Sequence, residues 1–242
     1  QMQIKEIENL STESLFELAN SIREENYRNI VTYSPKVFIP LTKLCLDRCG
    51  YCTFAEPPAR LEFPYMDPEE VLKVARAGKQ AGCHEALFTL GERPELRYPS
   101  AEEWLTSRGY SSTVDYLVAM SKLVLEETGL LPHANAGALY YEELLALKDV
   151  SASQGMMLES IVPDLDCHRN SPDKTPERRI STLKNAGELK IPFTTGILVG
   201  IGESRSSRIE SLKVIAEIQR TYGHIQEVIV QNFLPKTGTA MH

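Results

Sequence analysis

Lys36-Val-Phe-Ile-Pro-Leu-Thr-Lys-Leu-Cys45-Leu-Asp-Arg-Cys49-Gly-Tyr-Cys52 runs from an apolar, strand-like segment straight into three cysteines. The thiols are spaced C-x3-C-x2-C, and no fourth cysteine follows nearby. A structural zinc site closes a tetrahedron with four ligands. Three thiolates on one short loop suit instead a four-iron cluster with one iron left without a protein ligand. An open coordination position on a metal is where chemistry takes place. The competing readings are a zinc knuckle completed by a distant His or Cys, and three unrelated thiols. The other two cysteines, Cys83 and Cys167, read as a small buried hydrophobe and an ordinary thiol.

Outward from this stretch, a strand followed by a helix recurs along the chain. Strand-like runs are expected at 36–42, 85–90, 131–136, 152–159, 193–199 and 227–233. Asp67-Pro68-Glu69-Glu70 supplies a cap, a first-turn proline and an acid for a helix that stops near Gly82. Thr175-Pro176-Glu177 opens another in the same way, and further helices are expected at 116–127, 141–148 and 209–221, with Gly129 and Gly223 as stops. Six βα units in sequence imply a right-handed parallel sheet. Eight would close a barrel. Six leave an α/β, TIM-like partial (β/α)6 barrel, open at strand one, where Pro40 removes a ladder donor and so belongs at an edge. Residues 1–30 read as a leading helical segment capped at Ser11, and 31–242 as the core barrel. Gln1 in place of Met points to a trimmed N-terminus, and elements after strand six are expected to be missing beyond His242.

The composition of this 242-residue chain, 42% hydrophobic and 24% charged, provides for one sizeable core. A net charge of −7 argues against nucleic acid or an anionic membrane as partner. No membrane span and no secretory signal is legible, so the Asn9-Leu10-Ser11 sequon carries no weight. Clustered cysteines without a disulfide framework indicate a reducing, cytoplasmic compartment with thiolates kept for metal.

Polar residues gather at the strand ends, where barrels of this type place their chemistry. The cysteine loop follows strand one, Gly91-Glu92-Arg93-Pro94 strand two, Asn135-Ala136-Gly137 strand three and Glu159-Ser160 strand four. Gly200-Ile201-Gly202-Glu203 follows strand five and Gln231-Asn232 ends strand six. Ser171-Pro-Asp-Lys174 matches the S-x-x-K pattern of acyl-serine enzymes, but its partner motifs are absent.

The cysteine spacing, with Tyr51 before the last cysteine, resembles the radical S-adenosylmethionine (SAM) superfamily. Within it, 33–42, 85–95, His168 with 171–174, 191–203 and 227–233 resemble the subunit 1 (CofG) family of 7,8-didemethyl-8-hydroxy-5-deazariboflavin (FO) synthase. The resemblance implies that Cys45, Cys49 and Cys52 bind three irons of a [4Fe-4S] cluster, with the methionine end of SAM on the fourth. Lys43 and Arg48 either offset the charge of this loop or are ordinary solvated bases. Glu92 matches the position that holds the SAM ammonium. Arg179, with Arg178 as rival, is similar to the arginine that receives its carboxylate. Glu159 would bind ribose hydroxyls or pair with Arg179. Gly196-x-Leu198-x-Gly200-x-x-Glu203 resembles a superfamily motif in which glycines let adenine lie close to the backbone and Leu198 gives it an apolar face. Asn135, Gln231, Asn232 and His168 are substrate candidates, His168 also as the base. Tyr33 and Lys36 either reach the pocket or cap the barrel floor.

The activity so implied is reductive cleavage of SAM to a 5′-deoxyadenosyl radical. The radical then acts on a 4-hydroxybenzyl/ribityldiaminouracil adduct, whose cyclisation with loss of ammonia, a lyase reaction, forms FO on the way to coenzyme F(420). The implied partners are FO synthase subunit 2 and a low-potential electron donor of the flavodoxin or ferredoxin type. Another radical SAM cyclase, of menaquinone or metallocofactor maturation, and a non-catalytic metal-binding scaffold are the competing functions.

Overall fold

Six apolar runs form strands that lie side by side, and polar caps start most of the helices between them. The computed structural model describes residues 9–242, so residues 1–8 of the expected helical lead lie outside the described residues. The chain divides into two compact units, one up to Ser34 and one from Pro35 onward. In the first, α1 (Thr12–Tyr27) starts where expected, with the Ser11 hydroxyl accepting from Ser14 N at 3.2 Å.

The second unit holds strands β1 (Lys36–Thr42), β2 (Glu85–Leu90), β3 (Leu131–Asn135), β4 (Ser153–Gly155), β5 (Phe193–Val199) and β6 (Ile225–Asn232). Its helices are α2 (Pro68–Gln80), α3 (Pro99–Thr106), α4 (Thr113–Thr128), α5 (Tyr141–Lys148), α6 (Pro176–Glu188) and α7 (Arg205–Tyr222). All five strand pairs are parallel and the order is β1-β2-β3-β4-β5-β6, so the sheet is an open partial barrel with β1 at one edge. The β1–β2 register shifts between Pro40 and Thr42, where proline has no N–H to offer. Asp67 and Glu70 close a reciprocal capping box on α2. Ile39, Leu41, Phe88, Leu117, Leu144 and Leu183 are fully buried between sheet and helices. Each such side chain contributes about 1.5–3 kcal/mol. Among the described residues, no helix is long and apolar enough to cross a membrane.

Two expectations need correction. The fourth strand is three residues long and does not span 152–159. Between the pairs Gly155↔Thr194 and Glu159↔Ile197 the chain advances four residues against three on β5, so one residue is extra. The Leu158 N–H turns aside to the Thr195 hydroxyl, and Glu159 takes φ 65° before rejoining the ladder. A bulge of this kind re-aims a side chain, and left-handed backbone at a non-glycine residue costs about 1–3 kcal/mol. The second correction is α3, which has no counterpart in the sequence reading. Its eight residues are too few for a clear period. They are held by an aromatic cluster in which Trp104 lies 4.9 Å from Tyr65 and 5.0 Å from Tyr116 between ring centres.

Gly78 of α2 packs so tightly on β1 that an added Cβ would sit 2.4 Å from the Val37 Cβ. In an open helix, Gly→Ala gains about 1 kcal/mol. Here the clash outweighs it, because the obstacle is the stem of a stiff side chain. Gly78→Ala is expected to lower the unfolding free energy by about 1–3 kcal/mol, read as a lower urea midpoint at constant m, and Val37→Gly, which removes the Cβ that the new methyl meets, should do less damage beside it than alone. A Gly78→Ala protein as stable as its parent would contradict this packing.

Candidate active site

The cysteine loop leaves β1 and is stitched to two other segments. Gly91 makes one seam possible: a Cβ there would meet the Leu44 carbonyl oxygen at 1.8 Å. With that space open, Leu46 N donates to Glu92 O at 2.7 Å, and Glu92 N donates to Cys45 Sγ at 3.2 Å. The other seam is the chain between β4 and α6. Gly50 N donates to Cys167 O at 2.7 Å, Arg48 N to Asn170 O at 3.1 Å and Asp173 N to Asp47 Oδ1 at 3.2 Å. The Ser171 hydroxyl lies 3.5 Å from Cys49 Sγ. Burial pushes the Cys45 thiol up to about 12, and Cys49 is raised for the same reason. Asp47 is pushed up to about 7 by burial and by Glu92.

Charged side chains fill the rim behind the loop. Arg179, 1% exposed, places Nη2 2.6 Å from Glu92 Oε1, and its Nη1 donates to Met157 O. Glu92 Oε2 accepts from Ala138 N at 3.2 Å. Glu159 does not pair with Arg179. It accepts from Lys174 Nζ at 2.9 Å and from the Tyr51 hydroxyl at 3.3 Å. Burial would raise the Glu159 carboxyl, but Lys174 and Arg179 more than offset it and hold the group below its ordinary value. Burial and Arg179 pull Lys174 down, yet the surrounding anions, Glu159 first, keep it above its usual range. His168 Nε2 is 3.0 Å from the Tyr51 hydroxyl. Burial, helped by Lys174, depresses the imidazole to about 4, so it is neutral at pH 7.

Arg178, the rival of Arg179, turns away. It donates to the Ala138 and Leu139 carbonyls at 2.9 and 3.2 Å and stacks 3.8 Å over the Tyr140 ring. Cys167 is buried beside Ile201 and Leu198, and Cys83 packs against the main core. Lys43 and Arg48 are exposed. Lys36 pairs with Glu85 at 3.0 Å in the barrel, and Tyr33, 89% exposed, falls in the first unit.

Three cavities divide the candidate residues, and two of them adjoin. Cys45, Cys49 and Cys52 line one of about 330 Å³. Glu92, Asn135, Glu159, Lys174 and Arg179 line one of about 170 Å³. Tyr51, Glu159, Leu198, Gln231 and Asn232 line one of about 300 Å³. Glu159 and Met157 belong to both of the last two. Asn135 is therefore apart from Gln231 and Asn232. His168 opens on a cleft of about 700 Å³ beyond Ser171.

The glycine motif begins within β5 and ends in the turn that follows it. A Cβ at Gly196 would meet the Ile229 carbonyl oxygen at 2.0 Å, so the space it leaves is taken by β6. Glu203 accepts from Gly200 N and Ile201 N, both at 2.8 Å, and pairs with Arg208. Its carboxylate ties the turn, which needs φ 98° at Gly200 and 111° at Gly202.

Sequence reasoning missed Lys174, Ser171 and Asp173 as site residues. All three sit in the Ser171-Pro-Asp-Lys174 stretch, which shares in the family resemblance although the resemblance gives none of the three a role. The signal available was its neighbourhood to His168 ahead of the capped start of α6.

A model of the Radical SAM superfamily matches residues 39–215. Over 212 residues the chain is 56% identical to the 7,8-didemethyl-8-hydroxy-5-deazariboflavin synthase of Archaeoglobus fulgidus, covering 88% of this chain and 63% of that protein. Over 220 residues it is 54% identical to the FO synthase of Nocardia farcinica, covering 87% of this chain and 25% of that one. It thus spans under two thirds of the first relative and about a quarter of the second. The FeFe-hydrogenase maturase HydG from Carboxydothermus hydrogenoformans shares the fold with a TM-score of 0.79 at 20% identity, over 100% of this chain and 56% of that chain. With its cysteine loop, its six strands and the match reaching from β1 into α7, the chain belongs to the radical SAM superfamily.

Proposed function

We propose that this chain is the radical-generating core of an FO synthase, a lyase that closes the deazaflavin ring with release of ammonia. Identity above half with proteins of that name supports the substrate class. One observation carries the chemistry. Glu92 touches the cysteine loop through its N–H on Cys45 Sγ and touches Arg179 through its carboxylate.

The residues fit the implied groups. Cys45, Cys49 and Cys52 line one cavity. A cluster gives each thiolate its own iron. Two of the three sulfurs already have hydrogen-bond donors within reach, Glu92 N and the Ser171 hydroxyl. Buried thiols this hard to ionise deprotonate on metal binding. Arg179 Nε is a buried donor without a partner, and the Glu92–Arg179 pair matches in sign the two ends of an amino-acid zwitterion.

On this reading, Cys45, Cys49 and Cys52 hold the cluster, Glu92 takes the SAM ammonium and Arg179 its carboxylate. Glu159, kept ionised by Lys174, accepts from ribose hydroxyls, and Leu198 and Tyr51 give the adenine end apolar surface. A cluster held by these three cysteines would supply the single electron that cleaves the SAM sulfonium to methionine and a 5′-deoxyadenosyl radical, and the 4-hydroxybenzyl/ribityldiaminouracil adduct would be the hydrogen donor to that radical. The protein's contribution is to hold reacting carbons together and to keep water out. Asn135, beside Thr89, whose buried hydroxyl lacks a partner, offers amide contacts to a polar ring from one cavity. Gln231 and Asn232 offer them from the other. His168 is neutral and hydrogen-bonded to Tyr51, and serves as proton acceptor in the closure step. The second synthase half supplies the adduct, and a flavodoxin- or ferredoxin-type carrier supplies the electron.

Anaerobically reconstituted protein, reduced with dithionite, should release 5′-deoxyadenosine from SAM. Cys49→Ala should lower that release at least a hundredfold while the thermal unfolding of the apo-protein stays unchanged. Release at the parent rate would refute the ligand assignment. With tyrosine, the ribityldiaminouracil and the second synthase half present, a blue-fluorescent deazaflavin should accumulate. SAM cleavage without that product would reassign the chain to another cyclisation.

A further inference from the structure

We infer that Ser171 is a positioning residue that raises the reduction potential of the centre held by Cys45, Cys49 and Cys52, through a hydrogen bond from its hydroxyl to the Cys49 sulfur. This rests on the cluster proposed above, and concerns a residue to which neither the family motif nor the substrate assigns a role.

The geometry leaves the hydroxyl little choice. Ser171 is 4% exposed, and its backbone N–H is fixed on His168 O at 2.9 Å. Its Oγ accepts from Arg48 N at 3.1 Å and stands 3.5 Å from Cys49 Sγ. A serine hydroxyl carries a single hydrogen. With the oxygen accepting from Arg48, that hydrogen is directed at the sulfur. Cys45 receives a backbone N–H, from Glu92. Among the described residues, Ser171 is the one side-chain donor to these three thiols.

The physical consequence has a sign. A thiol is a poor acceptor, but a thiolate bound to iron is a good one. Reduction adds one electron from a low-potential one-electron carrier, with no bond broken and no proton moved. The added charge spreads onto the sulfurs, so a donor at Cys49 stabilises the reduced form more than the oxidised form. Hydrogen bonds to sulfur are among the determinants of iron–sulfur potentials. The rest of the contact survives loss of the hydroxyl, because Arg48 N also donates to Asn170 O.

The test compares the reconstituted parent with Ser171→Ala, Ser171→Thr and Ser171→Val, measuring iron and sulfide per chain and the midpoint potential followed by electron paramagnetic resonance. Threonine and valine match in shape and differ in the hydroxyl. At a poise that half-reduces the parent, the reduced-to-oxidised ratio should fall three- to tenfold in the alanine and valine variants, where tenfold is about 59 mV for one electron. The threonine variant should match the parent. Equal potentials in all four proteins, a threonine variant that follows valine, or loss of iron in the variants lacking the hydroxyl would each overturn the inference and leave Ser171 a structural residue. A parent that takes up no four-iron cluster would instead remove the function proposed above, and this inference with it.

Discussion

Arg179 and Glu92 face each other at 2.6 Å with almost no access to water, and much of the rim is arranged around that contact. Taking either ion out of water costs several kcal/mol, and a buried pair recovers this only with close geometry and further hydrogen bonds. Both conditions hold. The carboxylate also accepts from Ala138 N, and the guanidinium also donates to Met157 O. Replacing such a pair with apolar groups is often neutral or stabilising, whereas removing one partner costs about 3–5 kcal/mol. Stability alone therefore does not explain why a parallel barrel would carry the pair. Its position does: Glu92 stands two residues past the end of β2, and its backbone fixes both Cys45 and Leu46. One residue thus couples the cysteine loop, the turn before α5 and the first turns of α6.

The same rim holds a second layer of compensated charge. Arg93 binds Glu143 through two hydrogen bonds of 2.6 and 2.7 Å and donates to Ala138 O at 2.9 Å. Arg178 and Asp173 approach to 3.5 Å. These contacts brace the backbone on which Glu92 leans. Lys174 and Glu159 form the inner pair, beside Tyr51 and His168. The bulge before Glu159 lifts that carboxylate out of the sheet, so the strain at its left-handed backbone is the cost of turning it to the rim.

Much of this was legible in the chain itself. The cysteine spacing marked the loop that leaves β1, and Asp67-Pro68 and Thr175-Pro176 announced two helix starts that the structure contains. Pro40 marked the edge strand. What was hidden depends on distance in space. Nothing local to Arg179 says that it pairs with a carboxylate 87 positions away and leaves Glu159 to Lys174. Nor does the sequence say that the space beside Gly196 is filled by the neighbouring strand, a contact set by register. Lys174 and Ser171 had no legible role, although their stretch shares in the family resemblance, because their partners Glu159 and Cys49 lie in other segments.

The central claim is that the cysteine loop and the Glu92–Arg179 pair together form a receptor for the amino-acid end of SAM, with one iron left for it. Electron–nuclear double resonance on the reduced, reconstituted protein tests this directly, using SAM labelled with ¹⁵N at the amine and ¹⁷O at the carboxylate. The account predicts hyperfine coupling from both labels to the cluster, weakened or lost in Arg179→Met. A cluster spectrum untouched by either label, with every iron coordinated by protein, would contradict it.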